Sequence, residues 1–342
     1  MVKMMGAGWN LGNSFDSFGM SEGRISGECG WGNPKTSKEM IHTLAKAGFG
    51  TIRVPITWYE HVSSAPEYTI DAEWMTRIKE VLKDILDEGM YAIINMHHEN
   101  NWLIPNGFCY EEIREKYIKI WYQIAESMKE WDEHLIFESM NEPQIAGGEN
   151  EWNGGTHAEQ KLVNDLQKEF VEIVRKTGVK NANRLLLVTT VGASAAEAAV
   201  RALDVPNDDM VAVSIHPYVP SLFCFDHGDA KSQVYWTNEG SQAIAETFER
   251  LDRVFVQKGI PVVITEYGAE NKEIPGTTHG NEDEVISWHR EFNKYASRFG
   301  ISCVWWDNNQ FGKEDEAFGL FNRNDLSWYR PKLKDEILSI KS

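Results

Sequence analysis

The chain has 342 residues, of which 11% are aromatic and 25% are charged, a composition typical of a globular protein. Its 52 acidic and 34 basic residues give a formal net charge of −18, which would repel a phosphate backbone and argues against a nucleic-acid partner. No apolar run approaches the roughly 20 residues that a membrane-spanning helix needs, so we expect no membrane association.

Short apolar runs rich in β-branched residues recur along the chain and alternate with segments of helical periodicity. The runs predicted as strands are residues 6–12, 51–55, 91–97, 135–142, 184–190, 211–217, 261–268 and 301–308. Residues 71–90 and 158–178 are two of the intervening segments and are predicted to be helices. Glycines stand where helices are expected to end, just before a strand: Gly48, Gly89, Gly178, Gly259 and Gly300.

Eight strand–helix repeats in a chain of this length predict an α/β fold, a single (β/α)8 TIM barrel formed by residues 1–342. A doubly wound parallel sheet is the alternative, but no GxGxxG motif opens a helix after the first strand. Two ordinary domains would also fit the length, yet there is no proline-rich linker or low-complexity segment to separate them.

In a TIM barrel the active site lies at the carboxyl ends of the strands, and here those ends are rich in side chains with available chemistry. They carry Asn13, Arg53, His97, His98, Asn141, Glu142, His216, Tyr218, Glu266 and Trp306, and the loops beyond add Trp102, Trp152 and Trp236. The fifth strand, which ends near Thr190, carries the least reactive side chains at its end. This concentration predicts a catalytic mouth.

Glu142 follows the fourth strand and Glu266 lies on the seventh, so their carboxyl groups are predicted to face each other across the mouth. Glycoside hydrolysis needs such a pair, and retaining enzymes hold the two groups ~5 Å apart. Structural ion pairs at the barrel rim are the alternative, since they also gather there. The presence of both glutamates favours catalysis.

Three further residues could support this pair. Arg53 would be costly to bury unpaired, and it could donate to the nucleophilic carboxylate and keep it ionised, although a structural ion pair would look similar. Tyr218 could donate to the same carboxylate. Asn141 is suited to bind the sugar 2-hydroxyl in the transition state.

His97 and His98 suggest a metal site, but adjacent residues of a strand point to opposite faces, and HxH or HExxH spacing is absent. We therefore predict no metal and no cofactor. His97 is expected to bind substrate or a catalytic partner, a buried structural histidine being the alternative. Trp306 could offer its flat ring to a sugar, whereas most of the 13 tryptophans must serve packing.

Taken together, these motifs resemble glycoside hydrolase family 5, the cellulase family. They are GWNLGNSFD, IRVPITW, NMHHEN, NEP, HPY, TEYG and WWDN, in that order along nearly the whole chain. The loop ENEWNGGTHAE is similar to the endoglucanase subgroup that includes lichenases and xyloglucanases. The resemblance implies retaining, endo-acting hydrolysis of β-1,4-glucosidic bonds in cellulose-type and mixed-linkage β-glucans.

The same resemblance implies that Glu142 is the acid/base and Glu266 the nucleophile. The remaining family positions, or positions that contact sugar in relatives, are filled by Asn13, Arg53, His97, His98, Asn141, His216, Tyr218 and Trp306. Trp306 is aligned in preference to Trp305 because the family places an acidic residue or Asn directly after this tryptophan.

The expected partner is therefore a β-glucan polysaccharide. Xyloglucan, glucomannan and xylan are alternative substrates for the same mechanism. A non-catalytic glycan-binding barrel would explain the aromatic residues but leave both glutamates unused, and a metal-dependent barrel hydrolase is a further rival. We expect a monomer that is secreted, with any signal peptide already removed from this chain.

The four cysteines, Cys29, Cys109, Cys224 and Cys303, show no metal-ligand spacing, and three pairings would be possible if all were oxidised. Cys303 lies inside an apolar run and is predicted to be a buried free thiol.

Overall fold

The structure is a computed structural model that describes residues 1–21, 24–25, 27–99, 101–103, 110–226, 232–312 and 316–339. Its centre is a closed barrel of parallel strands. The strands are β1 (Gly8–Asn10), β2 (Thr51–Val54), β3 (Tyr91–Asn95), β4 (Leu135–Glu138), β5 (Leu186–Thr189), β6 (Val211–Ile215), β7 (Val262–Tyr267) and β8 (Ser302–Trp305). Each of the eight predicted runs contains one of these strands, so the predicted TIM barrel is confirmed.

Helices follow the strands around the outside of the barrel. They are α1 (Lys38–Ala47), α2 (Ala72–Asp87), α3 (Tyr110–Ser127), α4 (His157–Lys176), α5 (Glu197–Ala202), α6 (Asn238–Val254), α7 (Glu282–Phe299) and α8 (Pro331–Leu338). Short 3-10 helices span Val2–Met4, Tyr59–His61, Val179–Asn183, Val191–Ala193 and Val256–Lys258, and one α-helical turn spans Ser221–Cys224. Two small antiparallel pairs join Met20–Ser21 to Arg24–Ile25 and Phe321–Asn322 to Ser327–Trp328.

The predicted helix ends have clear local causes. The side chain of Asp71 accepts the backbone N–H of Trp74 and so begins α2, while Thr156 and Glu159 form a capping box at the start of α4. Gly48 and Gly300 end α1 and α7 in the left-handed conformation, with φ of 113° and 66°. Side chains other than glycine avoid this region, so these two glycines stop their helices.

The seam of the barrel joins the first strand to the last. Gly8 pairs with Val304, and Trp9 pairs with Trp305, in parallel register. A Cβ atom on Gly8 would meet the side chain of Val304 at 2.8 Å, so glycine allows this close approach. Across the seam, the indole N–H of Trp9 donates to Asp307.

Because strand residues alternate between two faces, the apolar residues divide into two cores. The larger core lies between strands and helices and includes Ile94, Phe137 and Val188. The smaller core fills the barrel interior with Ile93, Ile136, Leu187, Ala212, Val263 and Val304, together with Val2, Met5, Tyr91 and Leu185. The interior core supports whatever lies above it at the carboxyl ends of the strands.

Within the described residues, no helix combines the length and the apolar character needed to cross a membrane. Cys29, Cys224 and Cys303 are free, and Cys303 is buried as predicted. Cys109 lies outside the described residues.

Candidate active site

A layer of buried polar side chains lies immediately above the interior core. Two residues after the inward-facing Ile93, Ile136, Ala212 and Val263, the same strands present Asn95, Glu138, Ser214 and Thr265. Asn10 and Arg53 complete this layer from β1 and β2, and all six side chains are fully buried. The inward row of the barrel thus changes from apolar to polar at one level.

Arg53 is the centre of this layer, and all three nitrogens of its guanidinium donate hydrogen bonds. Its Nε donates to Glu138 at 2.6 Å, its Nη1 donates to Glu266 at 2.6 Å and to Asn10 at 3.0 Å, and its Nη2 donates to Asn141 at 2.7 Å. The cation is therefore paired with two carboxylates, as a buried charge requires. Because Asn141 accepts through Oδ1, its NH₂ group remains available to donate.

Glu138 is a third carboxylate at the site, and the sequence analysis did not single it out. It lies at the end of β4 and is completely buried. Besides Arg53, its partners are the hydroxyls of Ser214 and Thr265, which donate to Oε1 at 2.6 Å and 2.9 Å. Its signal in the sequence was a charged residue inside the apolar run LIFES, the same anomaly that identified Arg53 in TIRVP.

Glu266 lies on β7 with its side chain 7% exposed. Arg53 and the Tyr218 hydroxyl donate to its two oxygens, the latter at 3.1 Å, as predicted for both residues. Burial raises the pKa of Glu266, while His216 and Arg53 lower it and Glu142 raises it further. The net direction is upward, so Arg53 favours the ionised form, as expected, but burial outweighs it.

Glu142 lies in the loop directly after β4, and its side chain is 22% exposed, more than that of Glu266. Its Oε1 lies 2.7 Å from Nδ1 of His216, whose Nε2 lies 2.9 Å from the hydroxyl of Thr265. Burial raises the pKa of Glu142 to about 7, against the opposing effect of Arg53. A carboxyl group with this pKa can act as an acid and as a base near neutral pH.

The two glutamates lie close together. Oxygen atoms of Glu142 and Glu266 are within 4.8 Å of each other, and His216 Nδ1 lies 2.7 Å from the first and 3.7 Å from the second. Retaining glycosidases hold their carboxyl groups at about 5–5.5 Å, whereas inverting enzymes separate them by about 6.5–9.5 Å. The separation in this structure fits the retaining geometry.

His97 and His98 are oriented differently from our expectation. β3 ends at Asn95, so strand alternation no longer applies to the two histidines, and their rings meet with centroids 4.5 Å apart. Ligand atoms of His97, His98 and Asp16 all lie within 4.8 Å of one another. The argument that these histidines point to opposite faces was therefore wrong, whereas the absence of a bound metal stays a prediction.

The hydrogen bonds of His97 define one of its ring nitrogens. Asn95 accepts the backbone N–H of Ile56 through Oδ1, so its Nδ2 faces Nδ1 of His97 at 3.1 Å and donates to it. Burial holds the pKa of His97 well below its usual range, with an added contribution from His98. A neutral His97 that accepts at Nδ1 carries its proton on Nε2 and can donate it.

Burial likewise lowers the pKa of His98 to about 4, so this ring is also neutral near pH 7. Its Nε2 lies 4.0 Å from Asp16, and its ring borders Phe18 and Trp31 at centroid distances of 5.3 Å and 5.6 Å. Asn13 joins this edge of the site through its backbone N–H, which donates to Asp16 at 2.9 Å. Asn13 and His98 thus meet at Asp16 on one edge of the site.

Trp306 stacks on His97, with ring centroids 5.9 Å apart and an angle of 4° between the planes. It follows β8 at the mouth, whereas Trp305 is fully buried on the outer face of that strand, among aromatic residues of α7. A Cβ atom on Gly12 would meet the Trp306 ring at 2.7 Å, so this glycine makes room for the indole. The orientation agrees with the choice of Trp306 over Trp305 as the mouth residue.

Asp307, next to Trp306, has a structural function. Its carboxylate accepts the indole N–H of Trp9 at 2.8 Å and the backbone N–H groups of Asn309, Leu320 and Phe321. These bonds hold the segment after β8 against the seam of the barrel. Because Trp306 directly precedes Asp307, the same bonds also fix the backbone that presents Trp306.

The loop tryptophans are not equivalent. Trp236 packs against Phe223 with ring centroids 5.2 Å apart and lies partly buried against the core, so its ring serves packing. Trp102 donates to Glu99 and lies beneath the ammonium group of Lys116. Trp152 is 56% exposed and is the loop tryptophan free to meet a ligand.

Two clusters among the described residues have metal-ligating atom types close together: Asp16 with His97 and His98, and Glu142 with His216 and Glu266. Several of these atoms already have hydrogen-bond partners within the protein: Asp16 accepts two backbone N–H groups, and Glu266 accepts from Arg53 and Tyr218. The nearby Arg53 guanidinium also opposes a cation. The donor sets are therefore better suited to binding polar hydroxyl groups than to holding a metal ion.

Comparison with known proteins agrees with this geometry. Residues 10–312 match the protein family described as Cellulase (glycosyl hydrolase family 5). Endoglucanase A of Ruminococcus albus is 41% identical over 339 residues, which cover 99% of this chain and 91% of that protein.

Two solved structures extend the comparison. The crystal structure of a xyloglucan-specific endo-β-1,4-glucanase of family 5 from a metagenomic library, in complex with cellotriose, is 38% identical with a TM-score of 0.93 and covers 99% of this chain and 97% of its own. A family 5 lichenase from Caldicellulosiruptor sp. F32, in complex with cellotetraose, is 33% identical with a TM-score of 0.92 and covers 99% and 93%.

Proposed function

The chain belongs to glycoside hydrolase family 5, the cellulase family, and from this premise we propose that it is a retaining endo-β-1,4-glucanase in which Glu142 is the acid/base and Glu266 the nucleophile. The observation that carries the assignment is the approach of their carboxyl oxygens to within 4.8 Å. Their different environments support the division of labour. Glu142 is the more exposed carboxyl group, and Glu266 is held by Arg53 and Tyr218.

In the first step, an oxygen of Glu266 attacks the anomeric carbon while Glu142 protonates the departing glycosidic oxygen. Arg53 and Tyr218 hold the attacking carboxylate in place, which removes orientational freedom before the reaction. In the second step, Glu142 takes a proton from water, and that water releases the sugar from Glu266.

The polar groups around the glutamates are proposed to bind the sugar at the reaction centre. Asn141 presents its NH₂ group and His97 presents Nε2–H, both suited to sugar hydroxyls. Trp306 supplies the flat apolar surface. His98 and Asn13 are proposed to contact the neighbouring sugar along the same edge.

Cellulose-type and mixed-linkage β-glucans are the proposed substrates, because the matched relatives carry endoglucanase and lichenase names. Xyloglucan is a second candidate, favoured by the matched xyloglucan-specific enzyme. We further propose that residues 1–342 form one catalytic domain, that the protein acts as a secreted monomer, and that it needs no metal or cofactor.

A hydrolysis screen over carboxymethylcellulose, barley β-glucan, xyloglucan, glucomannan and xylan tests the proposal. Viscosity should fall well ahead of reducing-sugar release on the preferred polymer, because internal cleavage shortens chains quickly. Glu266→Gln prepared in parallel should be inactive, which excludes a contaminating hydrolase. Release of terminal sugars alone would contradict endo action, and loss of activity in EDTA would favour a metal-dependent hydrolase.

A further inference from the structure

A continuous chain of hydrogen bonds connects the fully buried Glu138 to Glu142, whose side chain is partly exposed. Glu138 Oε1 lies 2.9 Å from the hydroxyl of Thr265, that hydroxyl lies 2.9 Å from His216 Nε2, and His216 Nδ1 lies 2.7 Å from Glu142 Oε1. Every member except Glu142 is buried. The hydroxyl groups at the buried end fix the direction of each bond in this chain.

The buried end of the chain contains a triangle of three oxygen atoms, two from hydroxyl groups and one from a carboxylate. Ser214 and Thr265 have hydroxyl oxygens 2.5 Å apart, and each lies within 2.9 Å of the same oxygen of Glu138. These three contacts share two hydroxyl protons, since the Glu138 carboxylate, paired with Arg53, can only accept. One contact lacks a proton in the best arrangement.

Thr265 could in principle donate to His216 instead. That arrangement would leave two of the three oxygen–oxygen contacts without a proton, one of them against a carboxylate. Hydrogen bonds to a charged acceptor are also about twice as strong as those between neutral groups. The Thr265 proton therefore stays within the triangle, and Thr265 accepts the N–H of His216 Nε2.

His216 is neutral, because burial lowers its pKa to about 4, with Arg53 adding to the effect and Glu266 opposing it. A neutral imidazole with its proton on Nε2 has a lone pair on Nδ1. At 2.7 Å from Glu142 Oε1, this lone pair requires a proton between the two atoms. Glu142 supplies that proton.

We propose that Glu138, acting through Thr265, is a positioning residue that holds His216 in its Nε2–H tautomer and thereby makes Glu142 a stronger base. The proposal rests on the proposed function of Glu142 as the acid/base. The tautomer stabilises the protonated carboxyl group by accepting its hydrogen bond. It destabilises the carboxylate, which would face a lone pair.

Both catalytic steps benefit from this arrangement. Glu142 enters the first step protonated and enters the second step as a base whose ionised form gains no hydrogen bond from His216. The other charged or titratable groups that face Glu142 act on it independently of the tautomer; they are Arg53 from β2, Glu266 and Tyr218 beside it at the mouth, and Glu151 from the loop before α4.

Nitrogen NMR of the histidine-labelled wild-type protein tests the tautomer directly. The signals of His216 are identified as those lost in His216→Gln. At a pH near 6, Nε2 should have the chemical shift of a protonated ring nitrogen and Nδ1 that of an unprotonated one. The opposite pattern would overturn the proposal, and the tautomer is read on the wild-type protein, independently of activity.

Kinetics of three variants test the consequence for Glu142. Thr265→Val removes the acceptor of His216 Nε2–H with little change in shape, so His216 can place its proton on Nδ1 and donate to the Glu142 carboxylate. The alkaline limb of kcat/KM should then move by about one pH unit toward acid, because one hydrogen bond to the carboxylate lowers its pKa by about one unit. The 15N pattern of His216 should reverse in the same variant.

Thr265→Ser keeps the hydroxyl and should keep the wild-type limb. Ser214→Ala is the matched control, because it removes a hydroxyl from the same triangle but leaves the Thr265 proton directed at Glu138. Its limb should also stay in place. An equal loss of kcat/KM at every pH in Thr265→Val, with no shift of the limb, would reduce Thr265 to a packing residue and overturn the proposal.

Failure of the proposed function would look different. If Glu142 were not the acid/base, Glu142→Gln would retain hydrolysis of the natural polymer, whatever the tautomer of His216. If only the relay were wrong, Glu142→Gln would be impaired while the limb stayed unchanged in Thr265→Val.

Discussion

Arg53 and Glu266 are joined by a 2.6 Å hydrogen bond between residues that lie 213 positions apart in the chain. The same guanidinium is held by Glu138 at an equal distance, so one cation serves two buried carboxylates. The proposed nucleophile is therefore oriented by a residue that Glu138 itself holds in place. We therefore expect activity to depend on the planar shape of the Arg53 guanidinium as well as on its charge.

Arg53→Lys should reduce kcat/KM on a soluble β-glucan by at least about 100-fold, although the charge is retained. A lysine ammonium is a compact donor that cannot reach Glu138, Glu266 and Asn141 in the planar arrangement of a guanidinium. The hydrogen bonds that the ammonium cannot reach leave buried acceptors unpaired, at about 1–3 kcal/mol each, so the free energy of unfolding in urea should also fall.

Arg184→Lys is the matched control for this variant. Arg184 is fully buried but donates to backbone carbonyls, such as that of Leu135, at the amino end of β4. It should lose stability and keep its kcat/KM. Wild-type kcat/KM in Arg53→Lys would show that activity does not need the planar guanidinium that binds Glu138, Glu266 and Asn141 together.

Glu142→Gln and Glu266→Gln should fail in different ways on a dinitrophenyl cellobioside. Glu142→Gln lacks the proton donor, which an activated phenolate does not need, so it should release a burst of dinitrophenol and accumulate the glycosyl–enzyme. General acid–base assistance is typically worth 10²–10⁴-fold, so the rate of hydrolysis of natural polymers should fall by about that factor more than the rate of dinitrophenol release.

Azide distinguishes the two variants further. It attacks without a general base, so it should speed turnover of Glu142→Gln and give the β-glycosyl azide. Glu266→Gln should give neither the burst nor this product, because the attacking oxygen is absent. The reverse result would mean that the two roles are exchanged.

The first sugar released should be the β-anomer. Two successive displacements at the anomeric carbon restore its configuration, as the close approach of the two carboxyl groups requires. Proton NMR of cello-oligosaccharide hydrolysis, recorded before mutarotation, distinguishes the anomers. An α-anomer formed first would require a water molecule between the carboxyl groups and so contradict this geometry.

The pH profile of kcat/KM should be bell-shaped with both limbs set by the site. Glu142 must be protonated, so activity should fall as the pH rises through the pKa of about 7 that burial gives this group. Glu266 must be ionised, and because its pKa is raised, activity should fall at a higher pH on the acid side than an ordinary glutamate would give. Both limbs belong to a coupled pair.

In Glu142→Gln, assayed on the activated cellobioside before the intermediate accumulates, the alkaline limb should disappear while the acid limb remains. An alkaline limb that persists in this variant would assign that titration to another group.

The positions of the strands and of the central glutamates followed from the sequence, because barrel strands are buried on both faces and a carboxylate at the end of such a run is conspicuous. Glu138 escaped attention although it stands in the same stretch as Glu142. Its partners Ser214 and Thr265 are 76 and 127 positions away, and short hydroxyl side chains in apolar runs carry no signal of their own.

The orientation of His97 and His98 was mispredicted for a different reason. The apolar run continues to His97, but strand pairing ends at Asn95, where its side chain turns to the backbone of Ile56. Alternation of faces holds only while the strand lasts. The end of a strand depends on such tertiary hydrogen bonds, which the local pattern does not contain.

The seam between β1 and β8 has a consequence for the order in which the molecule is made. At about 5–20 residues per second, a ribosome takes roughly 15–60 s to proceed from Gly8 to its partner Val304. During that time β1 lacks one neighbour and exposes an edge that another chain could pair with. Arg53 likewise waits for Glu266. The nascent chain is therefore both inactive and most vulnerable to aggregation until its last strand emerges and closes the ring.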